Sequence, residues 1–369
     1  MDFKQLGISD DFILTLKKQG ITTPTQIQNE AIIPIKEGRD IIGEAKTGTG
    51  KTLAFLLPIF ENINLKVNSP QALIITPTRE LALQITEEAN KLGSDKGINT
   101  LAAYGGRDID SQLKKLKKNI HIIIATPGRL IDHVNRGTIE FSAMKTFVID
   151  EADQMLLMGF KNDVDKIERQ LPTKRQTLCF SATMNSDVKK LAYKYTNDPI
   201  VISIKSDDIT LENINQNVIE TTDRWKQDSL CAVLKEDNPF MAIIFCRTKR
   251  RADVLEEAMH QKGFDCAKIH SDIPQAKRER ILKSFRKADL QYLIATDVAS
   301  RGLDISGVSH IYNYDTPETP ETYIHRIGRT GRAGEDGYTC LFVAPKDMRL
   351  LNEIESKINF KIPRRNITL

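Results

Sequence analysis

Short runs of branched apolar residues alternate along the chain with longer stretches of helical periodicity. The runs predict strands at Asp40–Gly43, Ala72–Thr76, His121–Thr126, Thr146–Asp150, Thr177–Phe180 and Pro199–Ile204. A second series is predicted at Gln216–Thr221, Met241–Cys246, Cys266–His270, Gln291–Thr296, His310–Tyr314 and Tyr338–Val343. Between them the periodicity predicts helices, among them Lys51–Phe60, Glu80–Leu92, Asp187–Tyr195, Lys249–Lys262 and Gln275–Lys287. Such alternation implies an α/β protein whose mostly parallel sheets are covered by helices on both faces. Right-handed crossovers then bring the strand carboxyl ends, and any ligand site, to one edge of each sheet. The two series are separated by a polar stretch without periodicity, so the expected domains are 1–204 and 216–369, joined by a flexible linker at 205–215.

Composition narrows the class without choosing a function. A chain of 369 residues exceeds what one core usually supports, and 40% hydrophobic with 28% charged residues is ordinary for a globular protein. The net charge of +4 is spread along the chain rather than gathered in a basic tail, so nucleic acid would have to be held by locally placed donors. Cys179, Cys231, Cys246, Cys266 and Cys340 are odd in number and form no C-x-x-C pair, the pattern of reduced thiols in a cytoplasmic protein. The start, Met1-Asp2-Phe3-Lys4, has no signal-peptide pattern, and the best uncharged apolar run, Leu53–Phe60, is too short to span a bilayer. A cytoplasmic monomer without membrane contact is the expectation.

Two motifs carry chemistry. Ala45-Lys46-Thr47-Gly48-Thr49-Gly50-Lys51-Thr52 lies between a predicted strand and a predicted helix, the setting of a phosphate loop. Gly48 and Gly50 would let backbone N–H groups face phosphate oxygens at the positive end of the helix dipole. Lys51 would reach the β- and γ-phosphates, and Thr52 would ligate Mg²⁺. Ala45 stands where the strict pattern has Gly, and a Gly/Thr-rich turn before an amphipathic helix is the competing reading. Downstream, Asp150-Glu151-Ala152-Asp153 follows the apolar run Phe147-Val148-Ile149. Acids after a strand also cap helices. Beside a phosphate loop, Asp150 would serve Mg²⁺ and Glu151 would orient or deprotonate water.

With these motifs the chain resembles the DEAD-box RNA helicases, ATPases of helicase superfamily 2, over nearly its whole length. The resemblance extends to Pro77-Thr78-Arg79-Glu80-Leu81-Ala82, Gly105-Gly106, Thr126-Pro127-Gly128-Arg129 and Ser181-Ala182-Thr183, in the family's order. It implies two RecA-like domains. Gly20 through Gln28 is similar to the family's adenine-reading motif, which implies that Gln28 reads adenine and Phe3 stacks on it. A Gln amide can pair with adenine N6 and N7, although Gln28 alone would read as a surface helix residue.

The second half continues the resemblance with Ala295 through Asp304 and His325-Arg326-Ile327-Gly328-Arg329-Thr330-Gly331-Arg332. It implies nucleotide contacts at Thr47, Thr49, Gly302 and Asp304, with Arg329 and Arg332 as arginine fingers. On spacing alone those arginines also fit an exposed basic helix face. RNA-facing positions are implied at Pro77, Thr78, Arg79, Gly106, Thr126, Gly128 and Arg129, and at Arg247, Thr248, Asp272, Gln275, Arg278 and Thr296. Asp153, Ser181, Thr183 and His325 are implied to couple the nucleotide to the RNA side, although a histidine at such a position is more often a core residue. In His270-Ser271-Asp272-Ile273-Pro274-Gln275 the family usually has Gly in place of Ser271 and Ser in place of Pro274, which predicts altered loop stiffness.

The implied activity is RNA-stimulated ATP hydrolysis driving local separation of RNA duplexes, with ATP and Mg²⁺ as cofactors and RNA as partner. Few aromatics accompany the RNA positions, so contacts to the sugar-phosphate backbone and the 2′-hydroxyl are expected, with little sequence preference. At about 1.4 kcal/mol per stacked step, six steps cost about 8 kcal/mol, so one closure event suits short duplexes. An ATP-gated RNA clamp would use the same residues, and a DNA-directed translocase is the third reading.

Overall fold

The computed structural model describes residues 1–46, 48–106, 112, 119–204, 214–300, 307–331 and 336–368. The chain divides into two compact units, Met1–Ser206 and Asp207–Leu369. In each, the described strands form one sheet whose pairs are all parallel, with helices between them, as the alternation predicts.

The first sheet contains β1 (Ile41–Glu44), β2 (Ala72–Ile75), β3 (Thr100–Ala103), β4 (Ile122–Ala125), β5 (Thr146–Ile149), β6 (Gln176–Ser181) and β7 (Ile200–Ser203), in the order β3-β4-β2-β5-β6-β1-β7. Alternate residues of each strand feed two cores. Ile41 and Ile74 face a cluster with Phe55 and Ala82, while Ile42, Leu73 and Ile75 face another with Leu130 and Ala152. Gly43 has a packing reason: a Cβ there would lie 2.6 Å from the Phe180 ring on β6. That close approach seats β1 against β6, and the phosphate-loop segment leaves β1 beside Ser181, whose carbonyl accepts Ala45 N–H at 3.0 Å. The edge strand β3 is absent from the sequence expectation. Thr-Leu-Ala-Ala has a single β-branched residue, so pairing to β4 rather than local propensity makes it a strand.

The second sheet contains β8 (Ile214–Glu220), β9 (Ala242–Cys246), β10 (Cys266–Ile269), β11 (Tyr292–Thr296), β12 (His310–Asn313) and β13 (Gly337–Val343), in the order β10-β11-β9-β12-β13-β8. Ile244 and Tyr312 face one core and Ile243 and Phe245 another. A third apolar cluster joins β8 and β13 to the helices Pro320–Ile327 and Met348–Ile358. The C-terminal segment then lies along β8: Val218 N–H donates to Pro363 O and Arg365 N–H donates to Val218 O, each at 2.8 Å. Arg365 fastens it through Asp237 at 2.7 Å and the Tyr338 hydroxyl at 2.6 Å. All five cysteines are buried and unpaired. Among the described residues no helix is long and apolar enough to cross a membrane.

Candidate functional site

The phosphate-loop segment is set by backbone that only glycine adopts easily. Gly48 and Gly50 have φ of 85° and 91°, and Gly50 opens the helix Lys51–Asn62. A Cβ on Gly50 would lie 2.4 Å from Gln28 Nε2. Gln28 is 2% exposed, which corrects the surface-helix reading of it. Its Oε1 accepts Thr25 N–H at 3.0 Å and its Nε2 donates to Gly50 O at 3.0 Å. Thr25 and Gln28 form a capping box at the start of the helix Gln26–Lys36, so Gln28 holds the phosphate loop from the helix beside it. Thr49 Oγ1 donates to Lys46 O at 2.7 Å, and buried Lys51 donates to Ala45 O. Thr52 follows on the helix, half-buried. Phe3 lies in the apolar core with 2% exposure. Thr47 lies outside the described residues.

The acidic segment leaves β5, separated from β1 by β6 alone, and is buried at Asp150, Glu151 and Asp153. Burial raises the Asp150 pKa above the ordinary carboxylate value; Lys51 and the Glu151 N–H, 3.0 Å from Oδ1, act against it. Glu151 has φ 53°, an uncommon left-handed conformation at the start of the helix Ala152–Leu157. Asp153 reaches β6: its N–H donates to Ser181 Oγ at 3.2 Å and its Oδ2 accepts Thr183 Oγ1 at 3.0 Å. Ser181 Oγ in turn donates to Thr183 O at 2.7 Å. Asp153, Ser181 and Thr183 are therefore joined within the first unit.

The remaining first-unit positions follow β2, β3 and β4 at the same sheet edge. Thr78 Oγ1 accepts Leu81 N–H at 3.3 Å near the start of the helix Arg79–Gly93, just after Pro77. The Arg79 guanidinium lies over Gly105, 3.1 Å from where a Cβ would stand, and Gly106 has φ 84°. Thr126 precedes the helix Pro127–Asn135, with Gly128 exposed and Arg129 beside Asp132 at 3.6 Å. On that helix His133 is fully buried and pairs with Gln112 Oε1 at 3.0 Å, and Gln112 donates to Tyr104 O at 3.1 Å.

In the second unit, Arg247 and Thr248 follow β9. Thr248 caps the helix Lys249–Gln261, accepting Arg251 N–H at 3.3 Å. Asp272 pairs with Lys249 at 2.6 Å, and that hydrogen bond holds its carboxyl below the ordinary value. Pro274 precedes the helix Gln275–Arg286, in which Gln275 and Arg278 are buried. Thr296 ends β11. His325 is half-buried in the helix Pro320–Ile327, and Arg329 follows that helix. Gly302, Asp304 and Arg332 lie outside the described residues.

Sequence reasoning missed Arg326. It is 2% exposed, grips Asp297 with two bonds of 2.6 and 2.8 Å, and donates to Asn313 Oδ1 at 3.0 Å and Asp315 O at 2.7 Å. It ties the segment after β11 to β12. A cluster of Lys226, Asp315 and Asp347 was missed as well, and no local spacing signals either group.

Comparison with known proteins agrees over both units. Residues 25–191 match the family model DEAD/DEAH box helicase, and residues 225–334 match the helicase conserved C-terminal domain. The DEAD-box ATP-dependent RNA helicase CshA of Geobacillus kaustophilus is 45% identical over 362 residues, 98% of this chain and 78% of the relative. The ATP-dependent RNA helicase CshA of Limosilactobacillus reuteri is 46% identical over 355 residues, 96% of this chain and 71% of the relative. Among solved structures, S. cerevisiae Dbp5 bound to RNA and ADP BeF3 has a TM-score of 0.88 at 29% identity, covering 98% of this chain and 95% of that one. Mss116p bound to ssRNA and AMP-PNP has a TM-score of 0.88 at 31% identity, covering 99% and 78%. The chain belongs to the DEAD-box ATP-dependent RNA helicases, with two RecA-like domains.

Proposed function

We propose that the protein uses ATP to separate short RNA duplexes locally, gripping the RNA backbone with little sequence preference. The observation that carries this reading is the joining of a glycine-shaped phosphate loop, a buried acidic segment and the Asp153–Ser181–Thr183 bonds along one sheet edge. Lys51, now on a main-chain carbonyl, would turn to the β- and γ-phosphates when ATP enters. Asp150 suits a divalent cation, because it is a buried carboxylate whose charge burial disfavours. Together with Thr52 it would hold Mg²⁺, which when bound would neutralise phosphate charge. Glu151 would orient the attacking water. Arg329, with Arg332, would stabilise charge on the transferred group.

Thr78, Arg79, Gly106, Thr126, Gly128 and Arg129 would take phosphates and sugars in the first unit, and Arg247, Thr248, Gln275, Arg278 and Thr296 in the second. Asp272, paired with Lys249, would act by positioning that cation. His325 would connect to the Asp153 bonds, so that RNA reports to the water-bearing site. We place the protein, as a monomer, in the cytoplasm, where its five unpaired thiols would stay reduced.

Strand displacement on a short RNA duplex, alongside ATPase rates with RNA and with DNA, tests the proposal. Displacement with ATP and preferential stimulation by RNA are expected. RNA-stimulated hydrolysis with no displacement would instead make the protein an ATP-gated clamp.

A further inference from the structure

Behind Arg247 lies a closed set of charges that the site described above does not use. Arg247 follows β9, Asp315 follows β12 and Asp347 follows β13, three neighbouring strands of the second sheet. The helix Lys226–Asp237 places Lys226, 1% exposed, between the two carboxylates, 3.9 Å from Asp315 and 3.8 Å from Asp347. Arg251 Nε donates to Asp315 Oδ2 at 2.7 Å, and the same oxygen accepts Arg247 N–H at 2.9 Å. The Arg247 guanidinium donates to Thr316 O at 2.9 Å and reaches Asp347 Oδ1 only at 3.4 Å. Asp223 and Lys346 lie beside the set but pair with each other, adding one charge of each sign.

Three cations thus meet two anions. Lys226 has no route to solvent, and Arg251 makes the shorter and better bond to its carboxylate. Arg247 and Arg251 are both about a third exposed, and Arg247, with the longer contact to its carboxylate, holds the surplus positive charge. Lys226 already neutralises one carboxylate, so Asp347 does not need Arg247 as its counter-ion, and the guanidinium costs little to release. Without Lys226, two anions would face two arginines, and moving Arg247 to another anion would strip a buried carboxylate of its partner.

We propose that Lys226 is a positioning residue for RNA binding: by neutralising Asp315 and Asp347 from inside, it leaves Arg247 free to exchange Asp347 for an RNA phosphate. This rests on the reading of Arg247 as RNA-facing. Asp347 is the competitor, an internal stand-in for the phosphate, and it sets how tightly that subsite takes RNA.

The test is binding of a fluorescent single-stranded RNA to the full chain with AMP-PNP at fixed salt, read as Kd. Asp347→Asn enlarges the surplus and tightens binding, by about threefold or more. Lys226→Met removes the surplus and weakens binding by about three- to tenfold, with the KM for ATP unchanged. The Lys226→Met/Asp347→Asn double variant restores the original surplus of one and returns Kd close to wild type, a rescue that loss of packing could not give. Arg247→Ala weakens binding and lowers the salt slope by about 0.7, one phosphate's share. Two single variants that both weaken binding, with a double variant weaker still, would overturn the charge balance. No effect of Arg247→Ala would overturn the RNA-facing reading of that residue, and the proposal with it.

Discussion

The two sheet edges solve the placement of charge in opposite ways. At the first, backbone shapes the site: Gly48, Gly50, Gly106 and Glu151 all have positive φ, and a buried Asp150 is left in an environment that resists its charge. At the second, side chains saturate one another: Arg326 spends four hydrogen bonds on Asp297, Asn313 and the Asp315 carbonyl, and Lys226 is enclosed by carboxylates. At the first edge burial works against the charge of Asp150, while at the second the buried carboxylates have their own counter-ions, of which Arg247 is held least firmly.

The sharpest way to separate them is Arg329→Ala. Hydrolysis should fall by about 10³-fold or more while ATP binding by the first unit persists, measured by steady-state turnover beside nucleotide titration. Unchanged turnover would remove Arg329 from the chemistry. Next in size, Arg326→Ala removes four hydrogen bonds, two of them to Asp297, and should cost the second unit about 3 kcal/mol, read by denaturant unfolding.

Asp150→Asn should act in the other direction, stabilising the ligand-free first unit by about 1 kcal/mol although it abolishes turnover. A loss of stability there would break the contrast between the edges. The last contrast concerns acid. Burial lowers the pKa of His121 and His133 in the first unit and of His310 in the second. Below the ordinary histidine pKa of about 6.5 the unfolded chain binds these protons first, so each contribution is full above that pH and is lost as pH falls. The slope is at most about 1.4 kcal/mol per pH unit for each histidine, and the first unit, with two, should soften sooner in thermal melts between pH 6.5 and 5.

The sequence made the strand–helix alternation, the phosphate loop and the acidic segment visible, because each is written in contiguous residues. What it hid is non-local. Arg326 contacts Asp297 and Asn313, residues 29 and 13 positions away, so nothing nearby distinguishes it from an exposed arginine. The left-handed Glu151 likewise comes from its place between β5 and a helix rather than from its residue type. Gln28 was closer to legible: Thr-x-x-Gln before a helix is the capping-box pattern, which predicts a fixed amide at a helix start rather than a surface side chain. Phe3 packs into a core built from residues far along the chain, which its local sequence does not announce.

The C-terminal segment has a consequence for solubility. β8 is an outer strand, and an outer strand offers a row of unpaired backbone groups on which another chain could add. Pro363 through Arg365 occupy part of that row, and Arg364 and Arg365 put charge beside it, held by Glu355, Glu220, Glu236 and Asp237. Clipping the last eleven residues, 359–369, would cost the catalytic groups nothing directly. It would uncover a sticky seam and turn a helicase unit into a template for strand addition between molecules.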